Sequence, residues 1–154
     1  MSNPVAQDPA GHATSLRSPA TALLALRMAC WALALPLLKH MVALPRLAAL
    51  MWHKSAGAPS KQDVDRVVRL SAAVARVRPL PGADNCLERS LIAYRYLSAL
   101  NADPRLVVAV RTADPSGFGH VWVTLNGAPV LHEDLSMFTP VLELGGRGRP
   151  VSAA

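Results

Sequence analysis

The stretch PGADNCLERSLIAYRYL, from Pro81 to Leu97, constrains the fold of this chain more than any other. Pro81 and Gly82 interrupt whatever precedes them. Asn85 is a favoured N-cap residue and Glu88 follows three positions later, so this capping-box pattern predicts a helix beginning at Cys86. Leu87, Leu91 and Tyr94 recur at i, i+4 and i+7, and Leu97 and Leu100 extend the apolar stripe. Cys86 thus falls in the first turn, where backbone N–H groups lack intrahelical partners and the helix dipole is positive. Such a place lowers a thiol below its ordinary value of roughly 8.5 and favours the thiolate. The plain alternative is a small buried cysteine that fills core space.

The chain on either side of this helix reads as helices first and strands afterwards. Residues 1–18 are polar, carry Pro, Gly and Ser, and read as a disordered tail. They lack the basic start, apolar core and cleavage site of a signal peptide. Residues 19–58 form an N-terminal helical segment. A membrane-spanning helix needs about 18 or more apolar residues in succession, and Arg27, Lys39, His40 and Arg46 interrupt this run. Pro36 and Pro45 should kink or end helices, which predicts two or three short amphipathic ones. Packing into the core is the first reading of their apolar faces. A partner-binding or membrane-surface face is the second, and membrane association is not the favoured one. Ser60 and Asp63 repeat the capping pattern before a helix with Val64, Val67, Val68, Val74 and Val77 on one side. The Arg78–Pro81 segment ends it.

Beyond the cysteine helix, Asn101 to Pro104 read as a turn and Arg105 to Arg111 (RLVVAVR) as a buried strand. Residues 113–119 (ADPSGFG) predict a mobile loop. HVWVTL alternates, and Asn126-Gly127 is the strongest short hairpin signal a sequence can carry. The returning strand is predicted from Ala128 to Glu133. A further strand is expected within Leu135–Leu144, and residues 146–154 read as a frayed tail. The fold class is therefore α+β, with N-terminal helices followed by a small antiparallel sheet and a core domain over residues 59–145.

The hairpin has a chemical consequence. With a two-residue turn at Asn126-Gly127, facing residues sum to 253, so His120 faces Glu133 with Cβ atoms roughly 4.5–5.5 Å apart. One extra loop residue would bring His132 opposite instead, and a bulge would advance Asp134. A carboxylate beside an imidazole selects its tautomer and stabilises the imidazolium. A helix-start cysteine, a strand histidine and a carboxylate form a nucleophile, a base and an orienting group. An ordinary exposed His–Glu pair is the structural alternative. A metal site from Cys86, His120 and His132 lacks the usual paired-ligand spacing, so neither metal nor cofactor is expected.

At these residues the chain resembles the cysteine leader peptidases of lasso-peptide biosynthesis. That family's pattern is C-L-x-R-S-L at the nucleophile and A-H-A-W-V-E-x-x-G-x-P-V at the histidine. Here the matching stretches are CLERSL at Cys86 and GHVWVTLNGAPV around His120. The resemblance covers roughly Leu33 to Leu144 and implies a transglutaminase-like, papain-related cysteine protease fold. By position it implies Cys86 as nucleophile and His120 as base, supported by Arg89 and Ser90. The family's acidic residue, twelve positions after the histidine, falls on His132. Glu133 and then Asp134 are the candidates for that role. The implied partners are a precursor peptide, a separate leader-recognition protein and an asparagine-synthetase-like lasso cyclase. A transglutaminase or acyltransferase with the same triad is the alternative enzyme, and a non-catalytic precursor-binding scaffold the alternative of another class.

The composition bears on what else to expect. The net charge is +6, but the arginines are scattered from Arg17 to Arg149 without aromatic interleaving, so nucleic acid is not the expected partner. Cys30 and Cys86 make no disulfide framework, which fits a reducing cytoplasm.

Overall fold

The computed structural model describes residues 18–76, 86–130 and 134–151. Helix α1 spans Pro19–Met41 and is capped by Ser18, whose Oγ accepts the Thr21 N–H at 3.3 Å. Thr21, Met28, Ala32 and Leu35 form its buried stripe. The expectation of short helices broken at Pro36 is corrected, because Pro36 lies inside this single 23-residue helix. A proline forfeits one hydrogen bond and clashes with the preceding turn, at about 3 kcal/mol. Burial of Ala32 and Leu35 on one side of it, and the anchoring of Lys39 beyond it, hold the helix together. By length and composition alone α1 could cross a membrane. Helix α2 spans Leu44–Met51 and takes Pro45 in its first turn, where a missing N–H costs little.

Helix α3 spans Lys61–Arg76, and its start follows the capping pattern. Ser60 Oγ accepts the Asp63 N–H at 3.1 Å and donates to Asp63 Oδ2 at 2.6 Å. Helix α4 spans Cys86–Ala99 and begins at the predicted residue. Asn85, its expected cap, lies outside the described residues.

The sheet has four antiparallel strands: β1 Arg105–Arg111, β2 Asp114–Leu125, β3 Ala128–Pro129 and β4 Phe138–Leu144. Their order is β3-β2-β1-β4. The loop predicted at 113–119 is corrected, because strand β2 already begins at Asp114. Part of that expectation survives in the ladder. Val110 faces Gly119 whereas Arg111 faces Asp114, so residues 115–118 are looped out between two paired positions. Of the returning strand predicted from Ala128 to Glu133, β3 covers Ala128–Pro129, and residues 131–133 lie outside the described residues.

The period of two along β1 and β2 sorts the side chains into two layers. Leu106, Val121, Val123 and Leu144 face the helices and join Met28, Leu47, Leu91, Tyr94 and Leu97 in the main core. Val107, Ala109 and Trp122 form a smaller cluster on the other face, covered by Leu135 and Phe138. The chain leaves β3 at one edge and enters β4 at the other, and Leu135 and Phe138 show that it crosses over this second face.

The expectation of a frayed tail is corrected for residues 146–151. Gly146–Gly148 form a 3₁₀ turn, and Val151 N–H donates to Glu143 O at 2.8 Å. Gly148 has φ +66°, and a Cβ there would overlap the Pro45 carbonyl oxygen and lie 2.8 Å from Ala49 N. Gly148→Ala combines left-handed backbone strain with overpacking against backbone, and should lower unfolding free energy by about 3 kcal/mol. Urea denaturation measures this, and a loss under about 1 kcal/mol would mean the turn does not pack as described.

The same turn receives the hydroxyl of Tyr94, which donates to the Gly145 carbonyl while its ring packs 5.5 Å from that of Trp52. Burial pushes the Tyr94 phenol up to about 12. In the unfolded chain a tyrosine ionises near 10, so the unfolded state sheds its proton first as pH rises. Stability is therefore intact below about pH 10 and falls between about pH 10 and pH 12, by up to roughly 3 kcal/mol. Tyr94→Phe should be less stable at neutral pH yet lose less across that window, as denaturant midpoints at several pH values would report.

Candidate active site

Cys86 stands at the first residue of α4, is buried, and belongs to the main core. It forms no disulfide, nor does Cys30, which is exposed on α1. His120 lies on β2 opposite Ala109 and is half-buried. Its ring stacks on Phe138 at 4.8 Å between centroids, with 24° between the planes, and lies 6.0 Å from Trp122. The aromatic contacts come from both sides of the ladder: Trp122 from the same strand, Phe138 from the start of β4. They fix the plane of the imidazole without using its nitrogens.

One buried hydrogen bond connects the helix of Cys86 to the strand of His120. Ser90 Oγ donates to the Val121 carbonyl at 2.8 Å. Ser90 is four residues after Cys86, on the same face of α4, and Val121 directly follows His120. The direction of that carbonyl is informative. Val130 N–H donates to Val123 O, so the Val123 carbonyl points toward β3. Carbonyls two residues apart in a strand point the same way, so the Val121 carbonyl faces the same edge. The Ser90 hydroxyl reaches this same edge of β2. The start of α4 thus meets β2 where the described β3 ladder stops.

The turn at Asn126-Gly127 has the positive φ values of a type I′ hairpin, 51° and 80°. Leu125 pairs with Ala128 and Thr124 with Pro129, so the register that sums to 253 holds through the described part of the hairpin. His132 and Glu133 lie outside the described residues. Asp134 is exposed, and its Oδ1 accepts the Ser136 N–H at 3.0 Å. The hydrogen bonds from Ser136 hold its carboxyl below the usual carboxylate range.

A further charged group stands one turn into α4. Glu88 is buried, and its Oε1 accepts from Lys39 Nζ at 2.9 Å, with side-chain exposures of 4% and 26%. The capping-box spacing singles out Glu88 but does not reveal this partner, which lies 49 residues away in α1. The Phe138 stack on His120 likewise had no local signal, because it depends on β4 pairing with β1.

A family model described as "Transglutaminase-like superfamily" matches residues 15–143. No curated protein and no solved structure matches the chain. The superfamily usually contains Cys-His-Asp enzymes, and the four helices followed by a small antiparallel sheet agree with its fold. Activity of the cysteine protease or acyltransferase type is what such a domain suggests.

Proposed function

Since the chain belongs to the transglutaminase-like superfamily, we propose that it is a cysteine peptidase removing the leader from a ribosomally made lasso-peptide precursor. The observation that carries this reading is the Ser90–Val121 hydrogen bond, which ties the helix one turn beyond Cys86 to the strand one residue beyond His120. The sequence motifs around the same two residues supply the specificity of the proposal.

In the proposed reaction the Cys86 thiolate attacks the carbonyl carbon between leader and core, forming a thioester as the C–N bond breaks. The His120 imidazolium gives its proton to the departing amine. Water, deprotonated by His120, then cleaves the thioester, releasing the leader carboxylate and restoring the thiol. The Cys86 backbone N–H, at the start of α4, is the proposed donor to the oxyanion. Glu133 is the preferred orienting carboxylate, with Asp134 the second choice and His132 occupying the usual family position. A separate leader-recognition protein presents the precursor, an asparagine-synthetase-like cyclase consumes the freed amine, and the reducing cytoplasm is the compartment proposed.

Mass spectrometry of a full-length precursor incubated with this chain, alone and with the leader-recognition protein, tests the reading. The expected products are free leader and a core with a free amine, formed faster with the second protein. A new amide on the leader would identify an acyltransferase, and an unchanged precursor would leave a binding scaffold. In the same assay Glu133→Gln should slow release by about 10²-fold, and Asp134→Asn much less. The reverse order assigns the orienting role to Asp134.

A further inference from the structure

Helix α1 carries two apolar stripes. One is the buried set Thr21, Met28, Ala32 and Leu35. On the opposite side, Leu23, Leu26, Cys30, Leu33 and Leu37 are all exposed, the four leucines by 50–71%. Their spacing is three, four, three and four residues, the a/d seam by which one helix receives another. Beside this seam a groove of about 550 Å³ opens between α1 and the C-terminal half of α4. Arg27, Trp31, Arg95 and Tyr96 line it, and the Arg95 guanidinium lies 4.5 Å above the Trp31 ring. Among the described residues, no carboxylate lines the groove. From Ser18 to Gln62 the chain carries Arg27, Lys39, Arg46, Lys54 and Lys61 and no Asp or Glu at all.

These features select one occupant. A second copy would bring the same cationic side against itself, with no acid to compensate. A bilayer could cover the seam, but Arg95 is half-buried between two helices, where a protruding side chain reaches and a flat headgroup layer does not. We infer that α1 and the groove beside it dock an amphipathic helix of a partner protein. Its apolar side chains fill the Leu23–Leu37 seam, and carboxylates along one flank pair with Arg27 and Arg95. The site lies at the opposite end of α4 from Cys86, so the inference does not rest on the peptidase reading.

Fluorescence anisotropy of the full-length protein with a labelled three-heptad peptide tests it. The peptide carries Leu at the a and d positions and Glu along its flanks, and is compared with Gln-flanked and Lys-flanked copies. The Glu peptide should bind at least about tenfold more tightly than the Gln peptide, and the Lys peptide more weakly still. Arg27→Glu, at an exposed position, should erase the preference for Glu over Gln. Leu33→Ser, also exposed, should weaken both peptides by a similar factor. Equal binding of the Glu and Gln peptides would overturn the inference, as would no binding up to about 100 µM. So would a dimer that Leu33→Ser dissociates, or binding to phosphatidylserine vesicles with which the Glu peptide does not compete.

Discussion

If the proposed peptidase reading holds, Cys86→Ala abolishes leader release, a loss of at least about 10⁴-fold, because it removes the proposed nucleophile. The folded state should survive. Cys86 is a small side chain at the edge of the core, and removing one sulfur costs on the order of 1 kcal/mol. Cys30→Ala is the matched control, since Cys30 lies exposed on α1 and should be dispensable for catalysis. Both variants are read by product formation and thermal melting side by side. Release by purified Cys86→Ala would remove the nucleophile assignment. Loss of activity in Cys86→Ala together with its fold would show that the cysteine serves packing first, which Cys86→Ser then separates from chemistry.

Lys39→Met is expected to have the largest effect on stability among single changes at the helices. It leaves the Glu88 carboxylate, only 4% exposed, without the cation 2.9 Å away. Breaking a buried pair from one side typically costs about 3–5 kcal/mol, because the remaining charge stays desolvated while losing its counter-charge. The double variant Lys39→Met/Glu88→Met removes both charges and should recover most of that loss, since two apolar side chains can replace an ion pair at little cost. Denaturant unfolding of the two single variants and the double gives the coupling directly. An additive result would mean that the pair contributes nothing beyond its separate side chains. Activity gives a second reading of the same pair. Removing the Lys39 cation strengthens the negative field of a carboxylate two residues from Cys86, which disfavours a thiolate there. Lys39→Met should therefore slow leader release even at temperatures where the protein remains folded.

Much of the secondary structure was legible in the sequence, because its signals are local. The Ser60–Asp63 cap closes over three residues, α4 begins at the Cys86 that the local spacing predicts, and Asn126-Gly127 meets the positive φ values of its turn without help from elsewhere. The alternation in HVWVTL and the β-branched run in RLVVAVR place β1 and the paired part of β2. Cys86 and His120 were legible for the same reason, as a helix-start position and a strand position carrying motif residues. The sequence also overstated two breaks. Pro36 argues locally for a kink, yet burial of Ala32 and Leu35 before it and the Lys39–Glu88 ion pair beyond it outweigh the lost hydrogen bond. The glycines of GGRGRP argue for a loose tail, yet Gly148 is needed where the turn touches α2.

By itself the sequence determined the class of fold, the order of helices and strands, and the two residue types that could perform acyl chemistry. Only the tertiary structure decided how the helices and strands meet, because the deciding contacts join residues far apart in the chain. Ser90 reaches Val121 across 31 residues and ties the cysteine helix to the edge of β2. Lys39 reaches Glu88 across 49 residues and fixes α1 to the start of the cysteine helix. Phe138 stacks on His120 because β4 crosses the sheet to pair with β1. No periodicity or cap encodes such partners. They follow from which buried groups find a hydrogen bond or a counter-charge once the layers close, since burying them without one costs more than the packing returns.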